Sequence, residues 1–184
     1  MLLLASGLIL FFAIHALPWS TAMRSKVVQR FGNNGYRSAF SIISLLGFGL
    51  IIYGKSIAPY QEVWLPPLWT RQFAVAVMPL SFIILAAAYL KSNLKRVTRH
   101  PMLWGVLLWS LVHLLANGDL ASILLFASFA IYAVFDMLSA NRRGAKLQQN
   151  KVPVHNDLLV IIAGLVGYGL VFYLHPYLFR VAIV

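Results

Sequence analysis

Six apolar runs set what this chain can fold into. They cover Leu2 to Leu17, Tyr36 to Tyr53, Phe73 to Leu90, Pro101 to Ala116, Leu120 to Leu138 and Leu158 to Leu174. A helix needs about 20 predominantly apolar residues to cross the hydrocarbon core of a bilayer. A chain of 184 residues therefore has room for six spans and almost no mass outside them. Several runs are slightly short, so flanking Trp, Tyr, Lys and Arg are expected to reach the interface. The runs are continuous, as in Leu80 to Tyr89, whereas a transmembrane β-barrel would alternate apolar and polar residues. Hydrophobic residues make up 61% of the chain and charged residues 10%, against about 25% charged in a soluble domain. A soluble enzyme, a nucleic-acid-binding domain and a disordered chain are excluded. The expected fold is an all-α integral membrane bundle of six spans with short loops, one domain over residues 1–184.

The net charge of +11 sets orientation rather than marking a nucleic-acid partner. Arg24, Lys26, Arg30 and Arg37 belong to the first connection, Lys91, Lys95, Arg96 and Arg99 to the third, and Arg142, Arg143, Lys146 and Lys151 to the fifth. Only Lys55, Arg71 and Arg180 lie on the other side. Lys and Arg accumulate in cytoplasmic loops, so these three connections are cytoplasmic and both termini lie outside. The first run could be read as a signal peptide, but it lacks a basic start and is read as a retained span. Asn117-Gly118-Asp119 reads as a tight turn, with Gly118 at a left-handed helix C-terminus and Asp119 as the next N-cap. Ser56 to Thr70, with Pro59, Trp64, Pro66, Pro67 and Trp69, reads as an interfacial loop. Ser139 to Asn156 is polar and basic and reads as the flexible stretch. Gly47, Gly49, Ala163, Gly164, Gly167 and Gly169 read as small residues for close helix packing.

The polar residues inside the runs carry the chemistry. Ionisable groups at membrane depth are costly and read as functional by default. His15 and His113 are two such residues on different spans. At 100° per residue, Arg99, Met102, Trp109, Ser110 and Asn117 share the general face of His113, so that face is expected to look into the bundle. The chain has no Cys, which excludes disulfides and thiolate ligation. Two His with no nearby acid suit haem better than zinc, and copper lacks a convincing His and Met cluster. His100 lies in Arg99-His100-Pro101 at the cytoplasmic interface. It is about 20 Å along the helix from His113, so one planar cofactor can hardly take both, and His15 with His100 is a geometric rival pair. His155 reads as solvated and His175 as interfacial. Asp119 and Asp157 read as helix caps, Glu62 as an outer-loop residue, and Asp136 as a partner of Arg142 or Arg143. No catalytic dyad or triad of acids, Ser and His stands out, and no Gly-rich phosphate loop is present.

Arg99-His100-Pro101-Met102-Leu103-Trp104-Gly105, the stretch Leu108 to Asp119, and Phe12-Ala13-Ile14-His15-Ala16 with Arg24 resemble the NnrU family. So do Arg30-Phe31-Gly32 with Tyr36, and Leu125-Phe126-Ala127-Ser128-Phe129. The likeness covers roughly residues 1 to 145, and the last span carries none of these motifs. It implies a bacterial inner-membrane protein linked to nitrite and nitric oxide respiration, that is, to denitrification. The family is also similar to plant 15-cis-zeta-carotene isomerase, a membrane haem b enzyme that isomerises a polyene carotenoid through a haem iron held by two His. That resemblance implies haem b here, with His15 and His113 as axial metal ligands. Arg24, Arg37, Arg96 and Arg99 could then pair with the propionates, because Arg favours carboxylates. The isomerase's alternative Cys ligand falls at Ser110, which cannot replace a thiolate. Membrane lipid and an apolar small molecule are the expected partners. Arg-His-Pro with Gly105 four residues after Pro101 also resembles membrane methyltransferases of the isoprenylcysteine type and sterol reductases. The acidic pair expected later in those methyltransferases is missing, since Asp136 is the only acid of its region.

Overall fold

The computed structural model describes residues 1–179, so Arg180, one of the three outer basic residues, lies outside the described residues. Within them the chain forms six α-helices: α1 (Leu2–Ala16), α2 (Thr21–Ser56), α3 (Trp69–Tyr89), α4 (Pro101–Ala116), α5 (Leu120–Arg142) and α6 (Val154–Phe179). Two 3-10 turns, Leu17–Trp19 and Asn93–Arg96, precede α2 and α4. Five segments, α1 with its 3-10 turn and the helices α2, α3, α5 and α6, are long and apolar enough to cross a membrane. α4 has 16 residues, or ~24 Å at 1.5 Å per residue, which is short of the ~30 Å hydrocarbon core. The helices pack in the order α2, α1, α5, α4, α3, α6, so α5 joins the first two spans to the rest.

The first connection differs from the sequence expectation. α2 is 36 residues long and begins at Thr21, not near Tyr36. Ser20 caps it by accepting the Met23 amide at 3.2 Å. Gly32, at φ 72°, breaks it into a basic segment and the spanning segment. A left-handed φ costs glycine little, so the chain turns there without losing its helical character on either side. The hydropathy dip that suggested a loop comes from Arg24, Lys26 and Arg30 on an exposed helix.

Close packing is concentrated at particular glycines. A Cβ on Gly54 would lie 2.4 Å from the Leu4 backbone, and one on Gly7 would lie 2.7 Å from the Ile51 backbone. Gly47 likewise faces the Phe11 backbone, and Gly164 faces Ile83 on α3. Gly49 and Gly169 face open space, so the small-residue reading holds for some positions and not for those two. Buried Leu4, Leu8 and Ile51 form the α1–α2 core together with Ala121 of α5.

Two hydroxyls inside the bundle are matched to backbone acceptors. Pro79 lies within α3 and has no N–H to give the Val75 carbonyl four residues earlier. The Tyr168 hydroxyl of α6 donates to that carbonyl at 3.0 Å. Buried Ser81 donates to the Gly105 carbonyl at 2.8 Å. A Cβ on Gly105 would sit 2.6 Å from the Leu85 side chain. The glycine after Arg-His-Pro is therefore accounted for by α3–α4 packing.

At the outer end Asp119 caps α5, accepting the Ser122 amide at 3.0 Å as expected. Gly118 is not in a left-handed conformation. It is glycine because the outer loop comes against it: a Cβ there would be 1.8 Å from the Trp64 carbonyl oxygen. Val63 and Trp64 amides donate to the Gly118 carbonyl, and Leu120 donates to the Gln61 carbonyl. Asp157 also departs from expectation. It accepts from Ser92 and from both nitrogens of Asn93, so it caps the 3-10 turn Asn93–Arg96 from across the bundle.

Candidate functional site

α1, α4 and α5 bring the intramembrane histidines into one aromatic belt. Nδ1 of His15 lies 2.7 Å from the Phe11 carbonyl oxygen, and Nδ1 of His113 lies 2.8 Å from the Trp109 carbonyl oxygen. A carbonyl can only accept, so Nδ1 carries the hydrogen in both. In the neutral ring Nε2 then keeps its lone pair. A hydrogen bond from the other ring nitrogen is what orients a metal-ligating His. The two sites share one local pattern: an aromatic residue four positions earlier supplies the carbonyl and packs its ring on the imidazole. Phe11 and His15 have centroids 4.0 Å apart, and Trp109 and His113 have centroids 5.2 Å apart.

α5 connects the two. Phe129 lies 5.6 Å from Phe11 and 5.5 Å from Trp109, and Phe126 lies 4.6 Å from His113. Tyr132 lies 6.0 Å from His15, and its hydroxyl donates to the His15 carbonyl at 3.2 Å. Phe40 of α2 closes the other side of His15 at 4.9 Å. The histidines are thus linked through the rings of Phe11, Phe129 and Trp109 and do not touch. Along α5, Phe126 and Tyr132 are six residues apart, which puts His113 and His15 ~9 Å apart in depth.

His100 is placed differently. Arg99 and His100 both contact Oδ1 of Asn141, at 3.2 and 2.9 Å. Arg99 can only donate, so the shared atom is an oxygen, and His100 Nε2 carries its hydrogen to it. Asn141 is nine residues beyond Tyr132, or ~14 Å further along α5. The structure brings His113 nearer in depth to His15 than it brings His100.

The four arginines separate into two groups. The Arg24 guanidinium stacks over the Tyr36 ring at 5.7 Å, and Tyr36 lies 6.1 Å from Phe40, so Arg24 approaches the His15 side. Arg37 is one turn from Phe40 on α2 and is exposed. Arg96 and Arg99 instead line an open depression with Lys146 and Gln148, away from both intramembrane histidines.

Sequence reasoning did not single out the belt residues Phe11, Phe129, Trp19 and Tyr132. The spacing of Phe11 and Trp109, each four residues before a His, was the available signal. Asp136 accepts from Trp19 Nε1 at 2.9 Å and lies 3.5 Å from Arg143, so of the two expected partners it takes Arg143. Ser110, one turn before His113, is fully buried, and its hydroxyl has no partner. Among the described residues no three His, Asp or Glu side chains come together to hold a bare metal ion.

The profile of the NnrU protein family matches residues 3–183. This chain belongs to the NnrU family. The match runs through α6, past the residues whose motifs carried the resemblance. No curated protein and no solved structure gives a significant match. In this family member the matched region holds both intramembrane histidines, the belt between them and the Arg-His-Pro segment.

Proposed function

We propose that this NnrU-family membrane protein binds haem b in the bacterial inner membrane, with His15 and His113 supplying Nε2 to the iron, in the service of nitrite and nitric oxide respiration. The observation that carries this is the matched pair of imidazoles. Each is tied at Nδ1 to a carbonyl one turn earlier, and each lies against aromatic rings. A macrocycle would supply the further iron donors that these side chains do not provide. The unpartnered Ser110 hydroxyl beside His113 fits a site shaped for an additional group. Arg24 and Arg37 are the arginines suited to propionates on the His15 side. Taking both histidines on one iron requires the rings of Phe11, Phe129 and Trp109 to part. When bound, the haem supplies a redox-active iron; the chain's own residues hold it, exclude water and set its depth.

A second reading, haem-dependent isomerisation of a polyene double bond, is favoured by one feature. An apolar cleft of about 390 Å³ beside α4 is lined by Ile84, Leu94, Val97, Trp104 and Leu108, and it suits an apolar small molecule. The test common to both readings is the haem content of the purified protein, measured as its pyridine complex after expression and after reconstitution with hemin. One haem b per chain is expected. A chain that stays haem-free after reconstitution contradicts both.

A further inference from the structure

The segment between α5 and α6 reads in sequence as a flexible basic loop, yet it is fastened along its length. α5 ends in a paired closure: Gly144, at φ 87°, donates to the Asn141 carbonyl, and Ala145 donates to the Ala140 carbonyl. This is the two-bond helix ending in which glycine supplies the left-handed residue. The chain then crosses the 3-10 turn Asn93–Arg96. The Gln148 amide donates to the Lys95 carbonyl at 3.0 Å. Further on, the Asn93 side chain clamps the Val152 backbone from both sides, at 2.9 and 3.0 Å.

The strap and the 3-10 turn border an open depression of about 440 Å³, lined by Arg96, Arg99, Lys146, Gln148 and Gln149 among others. Pockets of roughly 300–1,000 Å³ are the size that holds small ligands. Its three cations face no carboxylate. Of the acids near the cytoplasmic end, Asp136 is bonded to Trp19 and Arg143, and Asp157 to Ser92 and Asn93. Among the described residues no acid lies within ion-pair distance of Arg96, Arg99 or Lys146. Asn141 holds the Arg99 side chain through Oδ1, so one guanidinium is already oriented. Three cations with no counter-charge among the described residues suit a phosphate group, to which guanidinium binds through paired hydrogen bonds.

We infer that Arg96, Arg99 and Lys146 form a binding site for a phosphate-bearing group at the cytoplasmic face. The site is separate from the histidine belt and rests on nothing about haem. The phosphate can come from an anionic phospholipid headgroup or from a soluble phosphate compound, and the chemistry of recognition is the same.

The experiment uses the full chain, purified free of haem. Protein in nanodiscs of neutral phosphatidylcholine is titrated with inorganic phosphate by calorimetry. Protein in neutral detergent is titrated with dihexanoyl phosphatidylglycerol by native mass spectrometry. Saturable binding in the first arm identifies a soluble source. Binding in the second arm alone identifies a lipid headgroup. A charge-assisted hydrogen bond contributes about 1.5–3 kcal/mol, so the double variant Arg96→Gln with Lys146→Gln should bind at least about tenfold more weakly. The variant Arg96→Lys with Lys146→Arg should retain most of the binding, which separates lost recognition from lost folding. A control, Lys26→Gln with Arg30→Gln, removes the same charge from the basic segment of α2 and should bind as the wild type does. No saturable binding in either arm overturns the site, and so does equal weakening in the control, which would mark diffuse surface attraction.

Discussion

At the outer end of the bundle Asp119 meets Lys55 at 2.9 Å and caps α5, whereas at the strap end Arg96, Arg99 and Lys146 line an open depression and, among the described residues, meet no carboxylate. The outer end is also closed sterically, since the loop Ser56 to Thr70 bonds to the Gly118 carbonyl and leaves no room for a Cβ. Both ends are stitched by hydrogen bonds between elements far apart in sequence. They differ in how charge is matched: Lys55 meets Asp119 at the outer turn, whereas the positive charge at the strap is unmatched among the described residues. Excess Lys and Arg on one side orients the spans. In this chain the strap also gathers part of that excess into one concave place.

Breaking the outer closure should give the largest effect. Gly118→Ala forces a methyl against the Trp64 carbonyl, and overpacking costs ~1–3 kcal/mol. We expect the top of that range, seen as a lowered midpoint in denaturant unfolding of the reconstituted protein. A wild-type midpoint would mean that the outer loop does not press on this turn. Asp119→Asn removes the Lys55 ion pair while keeping an N-cap, and should cost ~1 kcal/mol. Asp119 also sets a pH dependence. Burial opposes its ionisation, but hydrogen bonds from Ser122 and Lys55 outweigh that and hold the carboxyl below its ordinary value. Its stabilisation is therefore complete above the unfolded value of ~3.9 and is lost as pH falls below that, through the folded value. Hydrogen exchange should show the outer turn losing protection in that acid window in the wild type, with no such loss in Asp119→Asn.

At the strap end the single changes are milder. Asp136→Asn removes the charge that faces Arg143 but can still accept from Trp19. The partners are partly exposed, so the cost should be ~0.5–1 kcal/mol. Its signature is a slightly lowered unfolding midpoint, and a wild-type midpoint would show that the Arg143 contact contributes nothing to stability. Asn141→Ala frees Arg99 and His100 on an exposed surface, where substitutions stay within about 0.5 kcal/mol. Its effect belongs in ligand affinity at the strap rather than in the unfolding midpoint.

The spans were legible because apolar runs at membrane depth leave few alternatives. α4 begins at Pro101 and ends at Ala116 as its proline and its turn residues indicate, and Asp119 caps as its position suggests. Several features were misread for physical reasons, three of them instructive. Hydropathy cannot tell a loop from an exposed basic helix, so the first part of α2 was missed. Gly118 suits a left-handed turn and a tight approach equally well by composition, and only the position of Trp64 decides between them. Asp157 sits where a helix cap belongs, yet its partners Ser92 and Asn93 lie more than sixty residues away. The two histidines were found from burial cost alone. The rings that join them required knowing which face of α5 meets α1 and α4.

The central claim is that the two Nδ1-tied imidazoles act as a pair and that His100 stands apart. Absorption spectra of the hemin-reconstituted wild type and of His15→Ala, His113→Ala and His100→Ala test it most directly. The account predicts a low-spin, six-coordinate spectrum for the wild type and for His100→Ala, with loss of haem or conversion to high spin in each of the other two. Loss of the low-spin spectrum in His100→Ala, with His113→Ala unaffected, would contradict it.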